Sequence, residues 1–454
     1  MDPASFARSV FDSAPAYRRF LADAGFSAVP DWESVPIMDK ETYLLAFPVE
    51  DLCHGGALDG CHLIGASSGF SRSGSLFWPK RPEDEGDYVA SIGRMLAEHY
   101  AIERRRTLAL VCLAFGTWIG GMQIAAALRA LAGTGRYPLT VATPGLNLRE
   151  AAAIHQRFHR GFDQCLVLTN PSNINLVGAL MRRSSPDLPP ASVFFPVVGE
   201  FFSEAFRERV ARDFGHSPET PFCVWTGYGS ADTGDLGVET ASTVALRKWF
   251  YRRPELSEQV LGARETPMLL APTPKAHLEI IDGEIVATKD QMIPLVRYNT
   301  RDHGGLLERS SLAAVGIPVA LTAQLPERIL FVHGRVSDSV VFYGTNLKVP
   351  AIGDFLLSLP EDYRYAGLFQ VRRSEGDGAT RFLFTVFTHG LDGLPPADDY
   401  TGALLSFLRE NSLEFTAKYD NLCRAAGEPL IRVELRDIAT LDPTVKHRFL
   451  LEEE

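Results

Sequence analysis

A chain of 454 residues is too long for one simple core and suits a large domain with a smaller appendage. Its 45 basic against 56 acidic residues leave a formal charge of -11, which repels a polyanion and argues against nucleic-acid binding. At 46% hydrophobic and 22% charged, with no apolar run that spans a bilayer and no secretory start in MDPASFARSVFDSAPAYRRF, it reads as an ordinary globular protein of the cytoplasm with no membrane partner.

The first unusual stretch is DLCHGGALDGCH, where Cys53-His54 and Cys61-His62 stand in a glycine-rich turn. The spacing matches none of the common zinc patterns, and none of the six cysteines forms a C-x-x-C pair, so reduced and mostly buried thiols are expected. HLIGASSGFSRSGSLFWPK follows, residues 62 to 80, so rich in small hydroxylated residues that it reads as a cradle for phosphates. From residue 107 strand and helix alternate. TLALVCLAFG is an apolar β-run ending in glycine, and TWIGGMQIAAALRALAG after it has helical spacing. YPLTVATPG, DQCLVLTNPS, ASVFFPVVGE and PFCVWTGYG are further strands. NINLVGALMRR and FSEAFRERVARDFG are the helices between them; in the second, Ser203 is the N-cap, and Phe206, Val210 and Phe214 share one face. Such alternation predicts a parallel or mixed sheet covered by helices, with ligands gathered at the loops after the strand ends.

Around residue 278 the pattern changes. LEIIDGEIVATKD reads as a hairpin turning at Asp282-Gly283, and YAGLFQVRRS, EGDGA and RFLFTVFTHG as strand, turn, strand. A helical YTGALLSFLREN and a strand-like LIRVELRDI complete an α+β unit with a core of its own. No internal repeat or low-complexity tract is found.

The densest cluster of chemistry lies late in the chain, in DGEIVATKDQMIPLVRYNTRDHGGLL and HGRVSDSVVFYGTNLKVPAI. In order and spacing these resemble GE-x-V-x-T … P-L-x-R-Y-x-T-x-D and GR-x-D-D … G-x-N-x-x-P of the adenylate-forming superfamily, in its phenylacetate-CoA ligase branch. VVGEFFSEAFRERV is similar to the family's Gly-Glu-Pro adenine segment, and TGYGSADTG to its Tyr-Gly-x-Ser-Glu segment. The resemblance runs from PAYRRFLADAGF nearly to the end.

That resemblance implies a large N-terminal α/β domain, residues 1–336, with mixed or parallel sheets flanked by helices, and a small mobile C-terminal α+β domain, residues 337–454, swinging about Ser337. It implies ATP and Mg²⁺ as cofactors and an aromatic or small carboxylic acid as substrate. The acid is activated as an acyl-adenylate with loss of pyrophosphate, then passed to coenzyme A. Lys446, in LDPTVKHRFL, stands where the family's C-terminal lysine enters the adenylation site. Asp302 would hold both ribose hydroxyls, and Tyr228 would offer a flat face to adenine beside Gly199, Glu200 and Gly229. Ser67, Ser68, Gly69 and Arg72 would hold the phosphates. Arg335 would reach the nucleotide or organise the hinge, and Asp232 would hold the metal. Trp118, Thr169, Asn170 and Gly227 would line the acyl pocket, with packing in the core the alternative for Trp118.

The departures are as informative. The family's second loop glycine is Arg72, its lysine Ser73 and its proline Gly74. Ala231 and Asp232 replace Ser and Glu, shortening the carboxylate arm by one methylene, and Ser337 replaces an Asp. No cysteine follows GYGSADTGDLGVET, so a zinc site there is not expected. Transfer to a carrier-protein thiol or an amine, or a nucleotide-binding module without full turnover, are the alternatives, and a monomer and a homodimer are both open. Asp302, flanked by Arg297 and Arg301, has a simpler reading as a surface ion pair.

Overall fold

The computed structural model describes residues 2–451 apart from 67–76, 118, 335–338, 343–344, 377–378, 412–414, 417–418, 421, 424–427 and 442–448. Strands β1 (Leu63–Ala66) and β2 (Phe77–Lys80) pair antiparallel, Leu63 opposite Lys80, on either side of the serine-rich segment. The strands that follow build one eleven-stranded mixed sheet. In chain order they are β3 (Thr107–Val111), β4 (Leu139–Ala142), β5 (Gln164–Leu168), β6 (Val193–Val197), β7 (Val224–Ser230), β8 (Gly234–Val238), β9 (Met268–Pro272), β10 (Ala276–Ile281), β11 (Glu284–Lys289), β12 (Leu295–Glu308) and β13 (Arg328–Gly334). Across the sheet they run β10-β11-β12-β13-β9-β8-β7-β6-β5-β3-β4. From β4 to β7 neighbours are parallel; from β7 to β10 they are antiparallel.

The parallel half explains its own sequence. β3, β5 and β6 are buried along their whole length, which is why they read as continuous apolar runs and not as alternating ones. Leu108, Leu110, Val167 and Phe195 point to one face, against the helices Leu148–Phe158, Pro171–Ser184 and Glu204–Asp213. Ala109, Val111, Leu166 and Phe194 point to the other, against Pro82–Tyr100 and Ile119–Gly133. Each large side chain so buried contributes about 1.5–3 kcal/mol. The helix Glu204–Asp213 begins as expected, with Ser203 Oγ accepting from Phe206 N at 3.1 Å, and Phe206 and Val210 buried beneath it.

The antiparallel half carries the expected hairpin. Asp282 and Gly283 take φ of +52° and +79° in the two-residue turn between β10 and β11. The N-terminal helices Pro3–Ser13 and Pro15–Asp23 pack Ala7, Val10, Tyr17 and Leu21 against Leu295, Val296 and Tyr298 of β12. They are a buttress for that strand.

Beyond β13 come the hairpin of β14 (Ser339–Phe342) and β15 (Thr345–Lys348), then a second sheet. It is built from β16 (Tyr365–Gly376), β17 (Ala379–Thr388), β18 (Ile431–Asp437) and β19 (Leu450–Leu451), in the order β18-β17-β16-β19. Phe369, Phe384, Tyr400, Leu404 and Ile431 form a core separate from the main sheet. Ala366, Leu368, Phe387 and Ile438 leave that core and pack instead with Val177, Met181, Phe206 and Val210 of the main body.

Candidate active site

The candidate residues converge at the carboxyl ends of the parallel strands, where this class of sheet opens a crevice. Thr169 and Asn170 follow β5; Gly199 follows β6; Gly227 to Gly229 form the end of β7. Thr169 Oγ1 donates to Cys112 O at 3.0 Å, and Val198 N donates back to Thr169 O at 3.1 Å. Asn170 precedes the helix Pro171–Ser184 but does not cap it, because its Nδ2 donates to Val198 O at 2.7 Å. Gly199 has φ +81°, and a Cβ there would stand 3.1 Å from that same Asn170 amide. The turn after β6 is therefore fixed from both sides, and glycine is required by backbone and by space. At Gly229 the constraint is internal to the hairpin: a Cβ would fall 2.2 Å from Gly234 O.

Tyr228 and Asp302 meet across the sheet. Tyr228 Oη donates to Asp302 Oδ2 at 2.7 Å and lies 3.3 Å from Thr300 Oγ1, whose own hydrogen goes to Ile285 O at 2.9 Å. Both residues are buried, at 7% and 9% exposure, so the carboxylate stands where a charge-assisted hydrogen bond is strong. Two irregularities in β12 aim it. Between Val286↔Asn299 and Glu284↔His303, β12 carries two extra residues; between Ala287↔Tyr298 and Lys289↔Leu295 it carries one. Arg301 and Arg297 occupy these bulges with φ of +62° and +50°, uncommon for residues with a Cβ. As a result Tyr298, Thr300 and Asp302 turn toward β7, while Arg297, Asn299 and Arg301 turn away. Arg297 Nη1 donates to Val35 O at 2.7 Å, and Arg301 pairs with Asp39 and Glu284. Neither arginine is bonded to Asp302, so the surface-ion-pair reading of this aspartate does not hold.

Asp232 stands at the tip of the β7–β8 hairpin, with its Oδ2 accepting from Tyr298 Oη at 2.6 Å. Glu200 follows Gly199 and is half-buried. Ser67, Ser68, Gly69, Arg72, Trp118, Arg335, Ser337 and Lys446 lie outside the described residues. Of the two Cys-His pairs, His54 lies 2.8 Å from Ser13 Oγ and 3.3 Å from Asp290, and His62 pairs with Glu85. Among the described residues no group of three or more His, Cys, Asp or Glu is placed to hold a metal.

A buried ion cluster beneath the site has no counterpart in the sequence reading. Arg207 and Glu239 are fully buried and paired, Glu204 lies 3.1 Å from Arg207 and 3.2 Å from Arg247, and the Phe202 ring sits 5.0 and 5.2 Å from the two guanidinium carbons. Glu239 Oε2 accepts from Thr226 N at 3.1 Å, and Trp225 Nε1 donates to Glu239 O at 2.8 Å. The cluster thus ties β7 to the segment 202–207. In sequence, Arg207 looks like one more charge on a charged helix; only the burial of its whole side chain distinguishes it.

No family model matches the chain, and no curated protein matches it in sequence. Solved structures do match. A 2-hydroxyisobutyryl-CoA ligase in its postadenylation state with 2-HIB-AMP superposes with a TM-score of 0.63 at 15% identity, covering 99% of this chain and 88% of that one. The AtGH3.15 acyl acid amido synthetase in complex with 2,4-DB superposes with a TM-score of 0.64 at 11% identity, over 100% and 91%. The chain has the adenylate-forming enzyme fold. The same CoA ligase with 2-HIB-AMP and CoA, in its thioesterification state, gives a TM-score of 0.52 at 15% identity, again over 99% and 88%. At these identities the likeness concerns the fold, so residue roles rest on the geometry above.

Proposed function

We propose that the protein activates a small or aromatic carboxylic acid with ATP, releasing pyrophosphate and forming an acyl-adenylate, and then passes the acyl group to coenzyme A. The observation that carries this is the buried Tyr228–Asp302 pair at the carboxyl ends of the parallel strands. The paired carboxylate can accept from the vicinal hydroxyls of a ribose, and Asn170 and Gly199 follow β5 and β6, the strands next in the sheet to β7. The motif order that resembles the phenylacetate-CoA ligase branch supports the same reading. So does the presence of acyl-AMP in the ligase of like fold.

Adenylation needs positioning and neutralisation of charge that spreads over phosphate oxygens, more than it needs covalent help from the protein. Asp302 and Tyr228 would orient the nucleoside, and Glu200 would lie beside the base. Asp232 offers a hard oxygen of the kind Mg²⁺ takes when most of its other ligands are water and phosphate. When bound, the metal would supply charge neutralisation on the phosphates. Arg72, Arg335 and Lys446 are proposed as the protein cations of the reaction, with residues 337–454 as a unit that moves about Ser337 to bring Lys446 in. An amine as the final acceptor is the second reading, because an acyl acid amido synthetase covers the chain as fully as the CoA ligase does.

The test is pyrophosphate release from Mg·ATP across a panel of acids, without acceptor, with coenzyme A and with amino acids. Pyrophosphate and AMP are the expected products. ADP and phosphate would overturn the adenylation mechanism.

A further inference from the structure

A carboxylate at a hairpin tip is ordinarily held only by water, yet the tip carrying Asp232 is gripped by one stretch of neighbouring chain. Lys289 Nζ donates to Asp235 O at 2.7 Å, and Gln291 Nε2 donates to Asp232 O at 2.6 Å. Tyr298 Oη donates to the Asp232 carboxylate at 2.6 Å. Gln291 and Tyr298 are buried, at 5% and 3% exposure. Gly234, between the gripped carbonyls, has φ +60°, and a Cβ on it would stand 3.1 Å from the Lys289 ammonium. The backbone on each side of the tip and the Asp232 side chain are thus fixed from residues 289–298.

A fourth side chain makes no local bond to justify its place. Lys80, the last residue of β2, is 6% exposed, yet its ammonium makes no hydrogen bond and no ion pair within 4.0 Å among the described residues. Asp84, Asp232 and Asp235 act on it at longer range, and burial holds its pKa below the usual lysine value. Burial also lowers Lys289, to about 8. A lysine side chain so largely withdrawn from water, with no local partner, is costly, and a hairpin tip has no structural need for one. An expense that packing does not offset marks a site.

We infer that Lys289, Gln291 and Tyr298 are positioning residues that hold Asp232 as the carboxylate arm for the divalent cation accompanying a nucleoside triphosphate, with Lys80 as the fixed charge that balances this arm before the cation arrives. The inference rests on the nucleotide reading above. The grip compensates for the shorter arm of aspartate: a carboxylate with less reach has to be aimed. Tyr298 fixes one oxygen by its hydroxyl, and Gln291 fixes the backbone from which the arm grows. Lys80 acts in the opposite sense. It competes electrostatically with an arriving cation, so its removal tightens metal binding where removal of the grip loosens it. A purely structural role for these four residues predicts no such pair of opposite signs.

The experiment uses the full chain saturated with ATP and titrated with Mn²⁺, bound metal being read by loss of the free-ion paramagnetic resonance signal. Tyr298→Phe and Gln291→Leu are expected to raise the half-saturating Mn²⁺ concentration about three- to tenfold, the scale of one hydrogen bond. Lys80→Met is expected to lower it by a similar factor. An unchanged midpoint in all three variants, with ATP still bound, overturns the inference. A shift of the same sign in all three overturns it also, since that would report general loosening. Failure of the unsubstituted protein to bind ATP would instead overturn the nucleotide reading, and the two failures are told apart by the ATP titration alone.

Discussion

Ser203 joins the two sheets' territories through a single hydrogen: its Oγ donates to the Asp354 carboxylate, on the helix Val349–Ser358, while accepting from Phe206 N as the cap of its own helix. Burial raises the Asp354 pKa to about 6, against the pull of the Ser203 hydroxyl and Arg247; Glu204 adds to the rise, and the Tyr251 phenol, itself raised by burial, also feels the Asp354 charge. The folded protein therefore holds this proton more tightly than the unfolded chain does. Its contribution to stability is full below about pH 4 and is lost as pH rises through 6. Asp354→Asn removes the titration and keeps an acceptor for Ser203. In urea melts the variant should gain on the parent as pH rises from 5 to 7.5. A constant difference across that range would show that Asp354 does not titrate there.

The second joint is backbone. Gly367, in β16, has φ +80°, and its carbonyl accepts from Asn175 Nδ2 at 2.7 Å. A Cβ would lie 2.7 Å from both Arg209 Nη2 and Asn175 Oδ1, and Asn175 is buried at 4% exposure and bonded to Arg209. Gly367→Ala should lose about 2–3 kcal/mol, combining positive-φ strain with overpacking. If the C-terminal unit detaches as a result, the radius of gyration from small-angle scattering should rise while the core around Phe384 stays protected from hydrogen exchange. Unchanged scattering with unchanged stability would mean that this joint does not hold the unit.

Glu239→Gln should be among the most damaging single changes in the molecule. It leaves Arg207 and Arg247 sharing Glu204 as their ion-pair partner at close range, and breaking a buried pair costs about 3–5 kcal/mol. The urea midpoint should fall well below that of a surface control such as Glu255→Gln, whose partner Arg264 is exposed. Comparable midpoints would mean that the cluster contributes little beyond its own desolvation.

Lys446→Ala should slow adenylate formation by roughly two to four orders of magnitude if its charge stabilises the transition state. Arg72→Ala should lose about 2–3 kcal/mol in kcat/KM for ATP, the scale of a charge-assisted hydrogen bond left unmade. Single-turnover adenylation at the parental rate would remove either residue from the mechanism.

The parallel half was legible because burial on both faces writes itself as apolar runs, and the Ser203 cap and the Asp282-Gly283 turn because their chemistry is local. The features that aim the site were not. Arg297 and Arg301 adopt positive φ with no glycine to signal it. Lys80 ends a strand as an ordinary surface lysine would, and Glu239, Arg207 and Arg247 find one another across distant segments. Helix Pro82–Tyr100 escaped for a different reason: it opens on Glu83, Asp84 and Glu85, and only Ile92, Gly93, Leu96 and Tyr100 along it are buried. Hydrophobic patterning reports what is buried; it is silent on which charges are.

The role of Asp302 has a test that separates recognition from packing. If both ribose hydroxyls donate to its carboxylate, Asp302→Ala loses two charge-assisted bonds and should weaken ATP binding by about 3 kcal/mol, roughly a hundredfold. Tyr228→Phe keeps the ring and removes the hydroxyl that orients the carboxylate, so about 1 kcal/mol, or fivefold, is expected. Size of effect alone does not decide the matter, because a misfolded site also binds weakly. The nucleotide does decide it. The parent should prefer ATP over 2′-deoxy-ATP, since the missing hydroxyl leaves a buried acceptor unmet, and that preference should vanish in Asp302→Ala while surviving in Tyr228→Phe. A preference for ATP that persists undiminished in a folded Asp302→Ala protein would mean that some other group reads the ribose, and the site would have to be rebuilt without this carboxylate.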